Sequence, residues 1–251
     1  MATREWDGAS YDRISTPMER MGLAVLDRLA LSGAETVLDA GCGSGRITQA
    51  LLERLPQGHV IAVDQSQSMI DAARERLDGA PRLELRRLDL LELELEQPLD
   101  AILSTATFHW IADHDALFRR LRAALRPGGR LVAQCGGEGN IALLRGAAVP
   151  LTEREPYARH FAHFRPPWNY ASAEVTDRRL LAAGFSSARC WLAEAPQQPE
   201  QPREFLSTIV LGPHVQQLPE DLRERFMDDV LALLPEPVTV DYVRLNIDAT
   251  A

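Results

Sequence analysis

A glycine cluster that directly follows a short apolar segment is the feature that most constrains the fold. The segment Thr36–Ala40 is predicted as a β-strand, and Gly41, Gly43 and Gly45 come directly after it. Beyond the cluster, apolar residues recur at three- and four-residue spacing, which is typical of an amphipathic helix. Glycine lets a backbone turn sharply and approach a ligand closely. The pattern therefore predicts a strand, a ligand-binding loop and a helix, in that order.

The spacing within this loop separates it from a dinucleotide-binding loop. Dinucleotide sites have the pattern G-x-G-x-x-G, whose third glycine would fall at Arg46, whereas the third glycine here is Gly45. Asp39 also stands two residues before the first glycine. Its carboxylate would repel a pyrophosphate but would suit an ammonium group. The loop therefore favours a ligand that has an ammonium group and no phosphate.

Two further acidic residues end the next two predicted strands. The strand His59–Asp64 ends in a carboxylate that can accept hydrogen bonds from two ribose hydroxyls. The strand Leu83–Asp89 ends in a second carboxylate, beside which an adenine edge can be bound. The carboxyl ends of parallel strands meet at one edge of a sheet, where ligands of α/β proteins bind. With Asp39, these residues predict a site for adenosine linked to an amino-acid group.

Strands and helices alternate over the first 136 residues, which predicts an α/β fold. Such alternation gives a mostly parallel sheet with helices on both faces. We expect a single domain over residues 1–251. Two helical insertions, at about 137–172 and 196–237, are expected to form a lid over the carboxyl edge of the sheet. The last strand is predicted at Thr239–Ile247.

Charge and cysteine content exclude several classes of partner. The 27 basic and 36 acidic residues give a net charge of −9, which argues against nucleic-acid binding. No uncharged apolar run reaches the ~18 residues of a membrane helix, so we expect no membrane association. Three cysteines without a C-x-x-C pair predict neither a disulfide framework nor a metal site. A reducing, cytoplasmic location is expected.

Five sequence motifs occur in a diagnostic order: VLDAGCGSGR, VIAVDQS, LDL, DAILSTATFHW and LRPGGRLV. This order resembles that of the class I S-adenosylmethionine-dependent methyltransferases, closely over residues 34–136 and more loosely at DYVRLNI. The segments WDGASYDR and FHWIADH are similar, more narrowly, to the trans-aconitate methyltransferase-like group. The resemblance implies a Rossmann-like sheet of seven strands with a helical lid. It also implies S-adenosylmethionine as cofactor and S-adenosylhomocysteine as its product.

The resemblance assigns cofactor-binding roles to residues at matching positions. The glycine loop would pass under the methionine part of the cofactor, Asp39 would hold its ammonium group, and Asp64 would bind the ribose. Other positions would flank the adenine, meet its amino edge, approach the methionine part or close over the cofactor. The expected cofactor-binding residues are Tyr11, Asp39, Gly41, Gly43, Gly45, Asp64, Gln65, Met69, Asp89, Leu90, Ser104 and Thr105.

The acceptor side is expected to combine the segment after the fourth strand with the lid. His109 is the candidate catalytic base, and a hydrogen-bond donor or a buried structural histidine are its alternatives. The segment Arg154–Trp168 concentrates basic and aromatic residues, and an arginine binds a carboxylate through two parallel hydrogen bonds. The expected acceptor-binding residues are Trp110, Arg159, His160, His163, Arg165 and Trp168.

The expected function is methyl transfer to a small-molecule acceptor. A carboxylate is already ionised at pH 7 and needs no base, whereas a phenol needs one. The resemblance favours O-methylation of a carboxylic acid. O- or C-methylation of a phenolic or apolar natural-product intermediate with a histidine base stays an alternative, as does a regulatory protein that binds S-adenosylmethionine without transferring its methyl group. The chain is expected to be a monomer or a homodimer.

Overall fold

A computed structural model describes residues 16–251. The predicted cofactor-binding residue Tyr11 lies outside this range. The strands are β1 (Thr36–Ala40), β2 (His59–Asp64), β3 (Leu83–Arg87), β4 (Leu99–Thr105), β5 (Leu125–Gly136), β6 (Ser187–Glu194) and β7 (Val243–Thr250). The helices are α1 (Thr16–Arg28), α2 (Arg46–Arg54), α3 (Gln67–Arg76), α4 (His114–Ala124), α5 (Ala142–Thr152), α6 (Ala158–Phe161), α7 (Ala173–Ala182), α8 (Pro202–Phe205), α9 (Gly212–Gln217) and α10 (Glu220–Leu231). Single 3-10 turns occur at Leu90–Glu92 and Phe108–Trp110, and a π-helical turn at Leu206–Val210.

All seven strands form one sheet in the order β3-β2-β1-β4-β5-β7-β6. Strands β1 to β5 pair in parallel, and β7 runs antiparallel to both of its neighbours, β5 and β6. The predicted α/β fold with a mostly parallel, Rossmann-like sheet of seven strands is confirmed. Because β1, β4 and β5 are adjacent and parallel, their carboxyl ends lie side by side at one edge.

Separate apolar clusters cover the two faces of the sheet. On one face, α1, α2 and α3 contribute Leu26, Leu51 and Ile70. On the other face, Leu117 of α4 and Leu180 of α7 pack against the sheet. The central strands β1 and β2 are apolar and almost entirely buried, as strands covered on both faces must be. Because helices cover both faces of the sheet, a ligand can reach it only at an edge, and the candidate site lies at the edge formed by the carboxyl ends of the parallel strands.

A third cluster joins the two segments that were predicted as separate insertions. Leu144 of α5, Phe161 of α6, Phe205 of α8 and Phe226 of α10 share one buried core. We call α5, α6, α8, α9 and α10 the helical cap. The methionines Met18 and Met21 of α1 pack against this core. Helix α1 therefore contacts both the sheet and the helical cap.

The last strand begins and ends later than the sequence predicts. The predicted bounds were Thr239–Ile247, whereas β7 spans Val243–Thr250. Val240 forms an isolated antiparallel bridge with Gln197, outside the seven strands. Beyond Ile247 the chain continues to pair with both β5 and β6. Alternating apolar residues do not distinguish the isolated bridge from the sheet strand, which explains the error.

The described residues contain neither a membrane-spanning helix nor a metal-binding cluster. Helix α1 has 13 residues, against the ~20 that a membrane helix needs, and none of the helices in residues 16–251 is long and apolar enough to cross a bilayer. Within the same range, no three side chains from His, Cys, Asp and Glu are placed to hold a metal ion. The cysteines are free thiols: Cys42, Cys135 and Cys190.

Candidate functional site

The glycine loop after β1 is fixed by hydrogen bonds to β2 and by close packing at its first glycine. The backbone amides of Gly41 and Cys42 both donate to the carbonyl of Val63, each at 2.9 Å. Gly41 has a φ of +83°, and a Cβ there would lie 2.1 Å from the hydroxyl oxygen of Thr107. Gly43 has a φ of +54°, but a Cβ there would meet nothing within 4 Å. The fold therefore requires glycine at Gly41, whereas Gly43 leaves its backbone open to a ligand.

Asp64 holds this loop against the start of α3. One carboxylate oxygen, Oδ2, accepts from the Gly43 amide at 3.0 Å, and Oδ1 accepts from the Ser66 amide at 2.9 Å. A carboxylate has about four lone-pair positions, so one such group can accept from backbone amides and from ligand hydroxyls together. Asp64, the residue predicted to bind the ribose, is thus hydrogen-bonded to the predicted glycine loop.

Asp39 is a buried carboxylate beneath the same loop, with 1% of its surface exposed. The hydroxyl of Thr48 donates to Oδ2 at 2.7 Å, while Oδ1 is buried without a hydrogen-bond partner among residues 16–251. Burial raises the pKa of Asp39 to about 6; the Thr48 hydrogen bond lowers it, and the charge of Asp64 raises it. An unpartnered buried carboxylate oxygen suits a cationic ligand group, as the sequence predicts for the cofactor ammonium.

The four residues predicted beside the adenine lie at the ends of β2 and β3. Gln65 is half-buried, and Met69 is buried in the first turn of α3. Asp89 is exposed, and its Oδ1 accepts from the Leu91 amide at 2.9 Å. The side chain of Leu90 packs into the apolar cluster beneath α4, so only its backbone is available to a ligand. These residues stand at one sheet edge with Asp64.

At the end of β4, Ser104 and Thr105 have different surroundings. The Ser104 hydroxyl is buried and donates to the carbonyl of Ala40 at 2.6 Å, which joins the ends of β4 and β1. Thr105 lines a cavity, and the next residue, Ala106, has a φ of +55°. The Ala106 amide donates to the carbonyl of Gln134 on β5 at 2.7 Å. The Ser104 hydroxyl therefore has a structural role in joining two strands, whereas Thr105 borders the cavity.

The cavity lies between the glycine loop, α1 and the ends of β4, β5 and β7. Thr105, Gln134 and Arg244 line it from the strands, opposite α1 and the glycine loop. Arg46 and Glu19, which also line it, form an ion pair of 2.6 Å between α2 and α1. The described lining residues include no histidine, tyrosine or lysine. Sequence analysis did not select Glu19, Arg46, Gln134 or Arg244.

His109 is 7% exposed and is not among the described residues that line the cavity. Its Nδ1 accepts from the backbone amide of Gly136 at 3.2 Å. Because an amide N–H only donates, Nδ1 is the unprotonated nitrogen, and the neutral ring carries its proton on Nε2. The ring stacks on Tyr170, with centroids 5.8 Å apart, and lies 4.9 Å from the Trp110 ring. The Nδ1 lone pair of the predicted base is therefore occupied.

The other predicted acceptor-binding residues divide into an exposed group and an aromatic stack. Arg159, His163 and Arg165 are exposed, and Arg159 Nε donates to Nε2 of the half-buried His160 at 3.1 Å. Trp168 stacks on Tyr170 at 5.8 Å and on His214 of the helical cap at 5.5 Å. The predicted acceptor-binding residues absent from the described cavity lining are Trp110, Arg159, His160, His163, Arg165 and Trp168.

Arg244 is the lining residue that sequence reasoning missed most clearly. It lies on β7, is 5% exposed and lines the cavity beside Gln134. Charged residues are almost never fully buried unless they are paired. Its position within the apolar segment DYVRLNI is a signal that could have identified it, because a core strand has no structural need for a positive charge.

Comparisons with known proteins identify the family. A family model described as "Methyltransferase domain" matches residues 38–131. Trans-aconitate 2-methyltransferase of Azoarcus sp. (strain BH72) is 30% identical over 231 residues, which cover 91% of this chain and 77% of that relative. The enzyme of the same name from Acidovorax ebreus (strain TPSY) is 37% identical over 130 residues. The latter alignment covers 52% of this chain and about half (49%) of that relative.

Solved structures show the same fold. Phosphoethanolamine N-methyltransferase 2 of Haemonchus contortus, solved with S-adenosyl-L-methionine, aligns with a TM-score of 0.61 and 19% identity, covering 97% of this chain and 56% of that one. An S-adenosylmethionine-dependent methyltransferase from Mesorhizobium loti aligns with a TM-score of 0.56 and 19% identity, covering 91% and 96%. From the sequence relatives, the glycine loop and the acidic strand ends together, the chain belongs to the class I S-adenosylmethionine-dependent methyltransferases, in the trans-aconitate methyltransferase-like group.

Proposed function

We propose that this protein transfers the methyl group of S-adenosylmethionine to a carboxylate oxygen of a small organic acid. The observation that carries the proposal is the chemistry of the cavity lining. It includes Arg244 and the ion pair of Arg46 with Glu19, and its described residues include no histidine and no tyrosine. Such a lining attracts an anion and offers neither a histidine nor a tyrosine as a base. Relatives named trans-aconitate 2-methyltransferase support a carboxylic acid as acceptor.

A carboxylate acceptor fits the surroundings of His109 and His214. A carboxylic acid has a pKa near ~4, so at pH 7 it is already a nucleophile, whereas a phenol with a pKa near ~10 needs a base. The Nδ1 lone pair of His109 is engaged by the Gly136 amide. His214 is buried in the helical cap, and burial lowers its pKa to about 4. Neither environment is that of a base that deprotonates a phenol.

The residues of the site fit the cofactor of the family. When bound, S-adenosylmethionine supplies a methyl group on a positively charged sulfur, which needs no further activation. Gly43 leaves its backbone open to the ligand, Asp39 places a negative charge beneath the glycine loop, where an ammonium group would be held, and Asp64 is a carboxylate suited to ribose hydroxyls. The chain's own contribution is alignment of the reacting groups, which supplies roughly 7–11 kcal/mol in well-oriented reactions.

The test uses cofactor with a radiolabelled methyl group and a panel of acceptors. The panel comprises trans-aconitate, succinate, benzoate, decanoate and, as a phenol, 4-nitrophenol. Products are treated with alkali, which releases a methyl ester as volatile labelled methanol and leaves an ether intact. We expect alkali-labile label from at least one acid with the wild-type protein, and none with Asp64→Ala. Alkali-stable label alone, or cofactor binding without any transfer, contradicts the proposal.

A further inference from the structure

We propose that Arg244 binds the carboxylate group of the acceptor and so selects anionic over neutral acceptors. This inference rests on the proposed function and names a residue for it. Arg244 pairs in register with Gly136 of β5 and with Ala193 of β6, at the sheet edge where the cavity opens. Its side chain lines that cavity with Gln134 and Thr105.

Arg244 is buried, and no acidic side chain in residues 16–251 forms an ion pair with its guanidinium. The residue is 5% exposed, its Nε is buried with no hydrogen-bond partner among residues 16–251, and its Cζ lies 5.4 Å from the centre of the Tyr242 ring. A buried charge without a partner lowers the stability of the folded protein, and an anion that pairs with it removes much of that cost. Arg46, the other arginine of the lining, is paired with Glu19. Of these two arginines, Arg244 is therefore the one that can pair with an anion in the cavity.

The acidic groups that interact with Arg244 do not neutralise it. Cys135, which is buried, and Tyr170, which is half-buried, are two titratable groups whose pKa the charge of Arg244 lowers. Burial raises the pKa of Cys135 to about 12 and raises the pKa of Tyr170 well above its usual value. Both side chains are therefore uncharged at neutral pH, and the positive charge of Arg244 stays available for a ligand.

The place of Arg244 in the sheet bears on which ligand supplies the anion. Strand β7 is the third strand from β1 in the order β1-β4-β5-β7, which at ~4.8 Å per strand is about 14 Å from the strand that carries the glycine loop. Asp39 and Asp64 lie at β1 and β2, on the opposite side of β4. This position on the far side of the cavity from Asp39 and Asp64 favours the acceptor as the source of the anion, and the cofactor's own carboxylate is the competing ligand that the experiment separates.

Pairing with Arg244 also changes during the reaction. The carboxylate oxygen forms the new C–O bond as the C–S bond breaks and its electron pair returns to sulfur. No proton is released, and the carboxylate that accepts the methyl group becomes a neutral ester group. A planar guanidinium binds a carboxylate through two charge-assisted hydrogen bonds, and an ester cannot reproduce this pair. Methylation therefore weakens the product's contact with Arg244 and favours its release.

The experiment compares Arg244→Gln and Arg244→Lys with Arg189→Gln, an exposed arginine on the neighbouring strand β6 that serves as a matched control for charge. The acceptor is the panel acid that the wild-type protein methylates fastest. Its KM and kcat are measured, and calorimetry gives the Kd of S-adenosylhomocysteine. We expect Arg244→Gln to raise KM by about 10²-fold, the usual scale for removing one partner of a buried charge pair. Arg244→Lys should retain part of the affinity, and added guanidinium should lower the KM of Arg244→Gln.

The outcomes separate this inference from the proposed function. An unchanged KM in a folded Arg244→Gln variant, with alkali-labile product, overturns the role of Arg244 and leaves carboxylate methylation intact. A raised Kd for S-adenosylhomocysteine with an unchanged acceptor KM shows instead that the anion is the cofactor's carboxylate. If wild-type product resists alkali, the proposed function fails, and this assignment fails with it. The Kd of the Arg189→Gln control should match that of the wild-type protein.

Discussion

The hydroxyl of Thr48 binds one oxygen of the Asp39 carboxylate at 2.7 Å, and the other oxygen is buried without a partner among residues 16–251. This one-sided arrangement leaves a carboxylate in the core that is only partly stabilised. Burial raises its pKa from 3.8 to about 6. The protein therefore retains an energetically costly group at the position predicted to hold the cofactor's ammonium group.

Stability should fall as pH rises from about 4 to about 6. In this window the folded protein holds a proton on Asp39 that the unfolded chain has lost, so the free energy of unfolding decreases with pH and levels off above pH 6. The size is at most about 3 kcal/mol, at 1.36 kcal/mol per pKa unit. Asp39→Asn should lack this component. Urea unfolding of both proteins between pH 4.5 and 7 measures it, and parallel curves for the two proteins would contradict the assignment.

Gly41 and Gly43 should respond differently to the same small substitution. Gly41→Ala places a Cβ against Thr107, so it should lower the melting temperature strongly. Gly43→Ala meets open space, so its cost in stability is limited to the left-handed backbone, roughly 1–2 kcal/mol. Calorimetry should nevertheless show weaker S-adenosylhomocysteine binding for Gly43→Ala, and Gly43→Val should weaken it further. Wild-type affinity in a folded Gly43→Val variant would show that the ligand does not lie on this backbone.

Asp64→Asn should weaken cofactor binding with little change in side-chain size. The amide nitrogen cannot accept from the Gly43 or Ser66 amide, so one of these hydrogen bonds is lost together with the charge. A hydrogen bond from a ribose hydroxyl to the charged carboxylate would contribute about 1.5–3 kcal/mol, so its loss corresponds to roughly 10- to 150-fold in the Kd of S-adenosylhomocysteine. Asp71→Asn, an exposed acid on α3, is the control and should bind normally. Equal affinities for the two variants would reject Asp64 as a ligand.

His109→Ala should leave the chemical step nearly intact if the acceptor is a carboxylate. We expect kcat to fall by less than about tenfold, because the ionised acceptor needs no base. The melting temperature should fall, since the Gly136 amide loses its acceptor and the ring leaves a gap beside Tyr170. Rapid-quench measurement of a single turnover isolates the chemical step. A loss of 10²-fold or more in that step would favour an acceptor that requires deprotonation.

The grouping of the predicted cofactor-binding residues at one sheet edge could be predicted because its sequence signals are local. The strand Thr36–Ala40, the glycines after it and the acids at the ends of β2 and β3 lie within short stretches of sequence, and the parallel sheet brings them to one edge. The role of Ser104 was not predictable in this way. Its hydroxyl binds the carbonyl of Ala40, 64 residues away, and such a pairing depends on strand order.

The arginines that line the cavity were harder to predict, because the composition of a segment does not show which of its side chains are exposed to solvent. The dense basic segment Arg154–Trp168 suggested the binding arginines, yet Arg159 and Arg165 are exposed. The single arginine in the apolar segment of β7 is buried and lines the cavity instead. A cluster of arginines reflects a solvated surface more often than a site, whereas one arginine among apolar residues must have a reason to be buried.

The position of β7 also has a consequence for biosynthesis. This strand is the last of the seven to leave the ribosome, yet it lies between β5 and β6, and β6 hydrogen-bonds to the sheet through it. Until β7 is made, β5 and β6 present unpaired backbone edges, which favour aggregation and chaperone binding. When β7 inserts, it pairs with the facing edges of β5 and β6, and the same step places Arg244 in the cavity. A nascent chain can therefore form the glycine loop and the acidic strand ends of β1 to β3 early. It acquires Arg244, the proposed acceptor-binding residue, only when the sheet is complete.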